Sequence, residues 1–145
     1  KGKVVQIGRR KMKTYELYLI QEDIAKAYFG REYLFFDLFA RFSESGSLSE
    51  KKVLYKQMMY ITMPLQVMKI HHKLEQALRV LGKYDRTHHT HTLYTGAEYG
   101  EIMVKPHYIR MNTSGNVSME TTFFEVLRKG ELTFLAMDYE NTAQE

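Results

Sequence analysis

Histidine is the residue type in this chain best suited to chemistry near neutral pH, and it is unevenly spread. His88, His89 and His91 fall within four positions, and His71-His72 form an adjacent pair. In an extended segment His89 and His91 would share one face, so a metal site through His88, His89 and His91 is one reading. The plainer one is a loop entering a strand with solvated imidazoles, because no carboxylate and no third well-spaced ligand completes the set. Serine nucleophilic catalysis finds no Gly-x-Ser-x-Gly elbow and no triad spacing. Thr95-Gly96-Ala97-Glu98-Tyr99-Gly100 carries two glycines, but it joins strand-like segments and lacks the strand–glycine–helix context of a phosphate cradle. Glu120 and Glu125 fall on a helix-like segment as a first-turn acid and an exposed side chain rather than a catalytic couple. The expectation is a non-enzyme with no catalytic residue, no cofactor and no resident metal.

The elements that would position a binding surface belong to one domain, since 145 residues fit a single unit with its own core. A hydrophobic share of 44% against 26% charged suits a globular chain that needs no staples. Cysteine is absent, which excludes disulfides and thiolate chemistry and points to a reducing, cytoplasmic setting. No apolar run approaches the roughly 20 residues of a membrane span, and no signal-peptide core is visible. The net charge of +4 sits at one end: residues 1–13 hold six basic side chains and no acid, leaving 15 basic against 17 acidic residues in the rest. A nearly neutral body argues against a nucleic-acid surface, and Lys105 and Arg110 are too sparse to make one. Residues 1–13 are therefore expected to be a basic tail, with Met12 a candidate start and Lys1–Lys11 an upstream or non-native extension. Residues 14–145 form the domain.

Thr14–Ile20 is aromatic and branched, as a strand requires. Gln21-Glu22-Asp23 then opens an apolar-periodic helix that reaches about Phe42, weakened at Gly30. Ser47 with Glu50 reads as a capping box for a second helix ending near Ile61. Pro64 fits the first turn of a third helix closed by Gly82, although residues 64–70 read equally well as extended. From Thr90 the pattern turns to strands: His91–Thr95, Glu101–Lys105, His107–Met111 and a short piece near Val117. A helix over Met119–Lys129, with Gly130 beyond it, and a last strand over Leu132–Asp138 follow. Helices in a block and strands mostly adjacent in sequence predict an α+β fold: a single two-layer domain with an antiparallel or mixed sheet.

Apolar residues exceed what one buried face needs. Eleven Tyr and eight Phe without Trp suit a large core, and equally a recognition surface with broad contact and polar tips. The first helix carries large groups on two sides, and Ile24 and Tyr28 near its start could face solvent. On the second helix, Gln57 and Tyr60 lie off the Leu54/Met58/Ile61 stripe. Together Ile24, Tyr28, Gln57 and Tyr60 would make a partner-binding cluster. A core packed from both sides explains the same residues as well.

The same segments carry a resemblance. Tyr18-Leu19-Ile20 with Glu22, then Tyr28-Phe29-Gly30-Arg31-Glu32, resembles the opening of the SirA family of sporulation inhibitors of replication. Met59-Tyr60-Ile61-Thr62 with Pro64 is similar to the end of that family's second helix. Glu120-Thr121, Phe123-Phe124-Glu125-Val126-Leu127 and Phe134-Leu135-Ala136-Met137-Asp138 resemble its closing helix and strand. The ordered set spans roughly Thr14 to Tyr139; no single piece is diagnostic. The resemblance implies a non-enzymatic inhibitor that binds the N-terminal domain (domain I) of the initiator DnaA one-to-one and prevents its organisation at the origin. It also implies that Ile24, Tyr28, Gln57 and Tyr60 touch that partner, with Ile24 standing where Phe is usual. The family's closing Tyr-Gly-Trp-Leu does not occur before Glu145, which implies an end short of the family's own.

Overall fold

Alternation of inward and outward side chains builds the sheet that everything else rests on. In the computed structural model, residues 12–114, 117–129 and 133–139 are described. Residues 1–11 of the expected tail, Gly130 and the start of the expected last strand lie outside them. Lys13 already belongs to β1 (Lys13–Leu19). The other strands are β2 (Lys83–Thr87), β3 (Thr90–Thr95), β4 (Glu98–Val104), β5 (Ile109–Thr113) and β6 (Phe134–Met137). They pair antiparallel throughout, in the order β2-β3-β4-β5-β1-β6.

Leu17, Leu93, Ile102, Ile109 and Met111 point to one face and are 1% exposed or less. Helices α4 (Val67–Leu78) and α5 (Val117–Arg128) close over them with Leu74, Leu78 and Phe123. At one end of the sheet the alternate residues, Tyr18 on β1 and Ile20 just beyond it with Leu135 and Met137 on β6, face the other way. They meet α2 (Tyr33–Glu44) and α3 (Leu48–Ile61) through Phe35, Phe39 and Met58. Tyr18 and Phe39 stack edge to face at 4.6 Å. The α+β architecture expected from the sequence is thus present, with a helical pair added on the second face at the β1–β6 end.

Several local expectations change. The long first helix is two: α1 (Glu22–Ala27) ends at Tyr28, and Gly30 adopts φ +85° before α2 begins. A left-handed residue cannot continue a right-handed helix, so Gly30 breaks the element rather than weakening it. Ser47 Oγ accepts from the Glu50 amide at 3.3 Å, but the Glu50 carboxylate takes the Ser45 hydroxyl instead of closing a box. Residues 63–66 are extended because Met63 N–H donates to the Leu19 carbonyl and Leu65 N–H to that of Pro106. Gly82 is not a left-handed cap; a Cβ there would land on the Tyr94 carbonyl oxygen. Val117 opens α5 instead of lying in a strand. Strand β2 has no periodic signal in the sequence, because its polar residues, Lys-Tyr-Asp-Arg-Thr, lie on the sheet's edge and only one of them is partly buried.

Candidate partner-binding groove

Each of the four residues proposed from the sequence opens onto the same surface. A groove of about 790 Å³ runs between α1, α2 and α3 and is lined by Ile24, Tyr28, Gln57 and Tyr60, together with residues of α2. Ile24 and Tyr28 are half-buried, their inner edges in the second-face core, while Gln57 is exposed and Tyr60 is 75% exposed. An exposure of that size for a tyrosine leaves its ring available to a partner.

Local hydrogen bonds set this geometry. α1 has no buried residue and no side-chain cap, so packing alone does not hold it. Gln21 at its start donates its side-chain amide to the carbonyls of Tyr60 (2.8 Å) and Thr62 (3.3 Å). Its backbone N–H donates to Ile61 at 3.0 Å, alongside an antiparallel bridge between Ile20 and Thr62. The start of α1 is therefore tied to the end of α3, which sets Ile24 and Tyr28 opposite Gln57 and Tyr60. Tyr28 is further fixed by Phe35, ring centres 5.2 Å apart, and by the Arg31 guanidinium 5.0 Å over its face.

Leu34, Asp37, Leu38 and Arg41 on α2, and Lys56 on α3, also line the groove and were missed from the sequence. The signal was present: Leu34, Leu38 and Arg41 recur at helical spacing on one face of α2, beside the buried Phe35 and Phe39. Asp37 and Arg41 pair across one turn at 3.8 Å, both well exposed. The groove is thus apolar-floored with a sparsely charged rim of Asp37, Arg41 and Lys56.

The match to known proteins falls on this same body. The family described as "Sporulation inhibitor of replication protein SirA" matches residues 13–144. A curated protein of that name from Bacillus subtilis (strain 168) is 36% identical over 128 residues, covering 86% of this chain and 86% of its own length. The chain belongs to the SirA family. This SirA-family chain carries the ordered residues noted above on β1, α1, α3, α5 and β6, and α1 and α3 among these supply two sides of the groove.

Histidine has a different place in this SirA-family fold. His88 and His89 form the two-residue turn between β2 and β3, His88 with φ 54°. His91 is 0% exposed, its Nε2 2.7 Å from His71 Nδ1 and its Nδ1 2.7 Å from the Tyr84 hydroxyl. Burial pushes both imidazoles below their ordinary value, His91 to about 4. The metal reading through His88, His89 and His91 is corrected accordingly: both nitrogens of His91 are engaged, and His88 is held in the turn. Among the described residues no group of three His, Asp or Glu side chains is placed to hold a metal. No helix among them is long and apolar enough to cross a membrane.

Proposed function

We propose that this chain is a cytoplasmic, non-enzymatic inhibitor of replication initiation at entry into sporulation, acting by binding the N-terminal domain of DnaA one-to-one through the α1–α3 groove. One observation carries the proposal: Ile24 and Tyr28 at α1 and Gln57 and Tyr60 on α3 line a single open groove. Membership of the SirA family supports the role. The mechanism is steric occlusion, in which a compact inhibitor covers a patch that other DnaA molecules or helper proteins need. Central aromatics dominate such interfaces, with Tyr28 and Tyr60 in that position here.

Calorimetric titration against the isolated N-terminal domain of DnaA from the same organism tests the reading. Saturable one-to-one binding is expected, and Tyr28→Ala should cost about 2 kcal/mol or more, roughly thirty-fold in affinity. Gln57→Ala should weaken binding as well. Tyr28→Ala within about threefold of wild type, with the fold intact, removes Tyr28 from the site. The sparse rim charges predict modest salt dependence; a steep loss with salt would shift the site to the basic residues of the N-terminal segment.

A further inference from the structure

Lys69 and Lys73 stand one turn apart on α4, a spacing at which like charges repel. Among the described residues neither forms an ion pair. Lys69 is exposed, but Lys73 is half-buried, and its Nζ donates to the carbonyl of Lys129 just past the end of α5. Desolvation, and then the charge of Lys69, push the Lys73 ammonium below its ordinary pKa. An ammonium fixed in this way keeps two N–H donors to offer, and an anion beside it would relieve the repulsion.

Both lysines line a second cavity, of about 570 Å³, which shares no lining residue with the α1–α3 groove. Its apolar wall is formed by Leu19, Ile20, Pro64 and Ile70. Backbone bonds fix that wall: Met63 N–H donates to the Leu19 carbonyl at 2.8 Å, and Ile20 N–H to that of Thr133 at 3.0 Å. A pocket of this volume, with set apolar walls and a few polar groups, is of the kind that takes small molecules. Glu22 also lines it, with its carboxylate paired to Lys26 at 3.0 Å. Two lysines against one acid leave the lining at +1, which a monoanion neutralises and a phosphate monoester, close to −2, overshoots. A purely apolar molecule would leave the lysines unanswered, and a bare inorganic anion would leave the wall in water.

We propose that this cavity binds a small aliphatic carboxylate, its head group between Lys69 and Lys73 and its chain against Leu19, Ile20 and Ile70. The proposal is independent of what occupies the α1–α3 groove.

The test is titration of the full chain with hexanoate, octanoate and decanoate, followed by the amide resonances of Ile20, Lys69, Ile70 and Lys73. Saturable shifts at these positions are expected, with those of Gln57 and Tyr60 unmoved. Affinity should rise about tenfold for each two carbons added, as burial of the chain requires. Decanol, which lacks the charge, should bind at least about tenfold more weakly than decanoate, and so should decanoate to the Lys69→Gln/Lys73→Gln variant. Thermal melting checks that the variant is folded; the decanol comparison decides the role of charge in wild type if it is not. Unshifted resonances at millimolar decanoate overturn the proposal, as do equal affinities for decanoate and decanol or shifts centred on the α1–α3 groove. Decyl phosphate binding more tightly than decanoate overturns the carboxylate assignment.

Discussion

Acidification should destabilise this protein well above the pH at which its carboxylates titrate, because of the buried pair His71 and His91. The two rings stack with centres 5.0 Å apart and are 3% and 0% exposed. Facing them are Glu75 from α4, Tyr84 and Arg86 from β2, and His89 from the turn. Desolvation lowers both imidazoles, and for His91 the neighbouring His71 and Arg86 outweigh Glu75, itself ion-paired to Arg86. Unfolding returns His91 from about 4 to about 6.5, so the unfolded chain binds the extra proton. Stability is therefore complete above about pH 6.5 and is lost progressively as the pH falls toward the folded-state value. That shift is worth about 3 kcal/mol in full, of which about 2 kcal/mol is lost between roughly pH 7.5 and 5. With a urea slope of about 1–3 kcal/mol/M, the urea midpoint should drop by about 1 M over that interval. Glu75 is held low mainly by its Arg86 partner and Glu32 by the Gly30 amide, so the stability they add is lost only below this window. A His71→Leu/His91→Leu double variant should flatten the response, since it removes both titrating groups. Equal midpoints at the two pH values in wild type, or an undiminished slope in the double variant, would refute this reasoning.

Two further outcomes follow from close contacts. Gly100 lies under α5, where an added Cβ would sit 2.6 Å from the Phe123 ring and 2.8 Å from Met119 Cγ. Gly100→Ala should therefore cost about 1–3 kcal/mol, read as a lowered urea midpoint, because both neighbours are fully packed. Gln21→Ala removes the two side-chain bonds that tie α1 to the end of α3, about 1–2 kcal/mol of local tethering. Hydrogen exchange of the Ala25 and Tyr28 amides should quicken several-fold while that of the sheet stays unchanged; unchanged α1 exchange would show that Gln21 does not hold the helix.

The elements with a strong local pattern were legible in the sequence. β1, α3, α5 and β6 announced themselves through alternation or helical stripes, and Leu54 and Met58 are the buried stripe of α3 as the spacing required. The exposed set Gln57 and Tyr60 followed from the same spacing, read as the complement of that stripe. What misled was the end of each element. The apolar period runs straight through Gly30, and only the φ of that residue divides α1 from α2. β2 is an edge strand whose polar side chains carry no alternation, so its pairing with β3 supplies the only signal.

Residue order alone determined the α+β class, the lack of thiol chemistry, the neutral body behind a basic N-terminal segment and the residue types a recognition surface would need. These depend on composition and on neighbours a few positions apart, which a local pattern records. Only the tertiary structure decided that Ile24 and Tyr28 stand across a groove from Gln57 and Tyr60, and that the face of α2 bearing Leu34 and Arg41 lines it. Only the fold joined His71 to His91, 20 positions away, converting a supposed ligand into a buried hydrogen-bonded partner. Such contacts are fixed by how whole helices and strands pack and by single bonds such as Gln21 to the Tyr60 carbonyl. Their energies arise between segments distant in the chain, where periodicity carries no information.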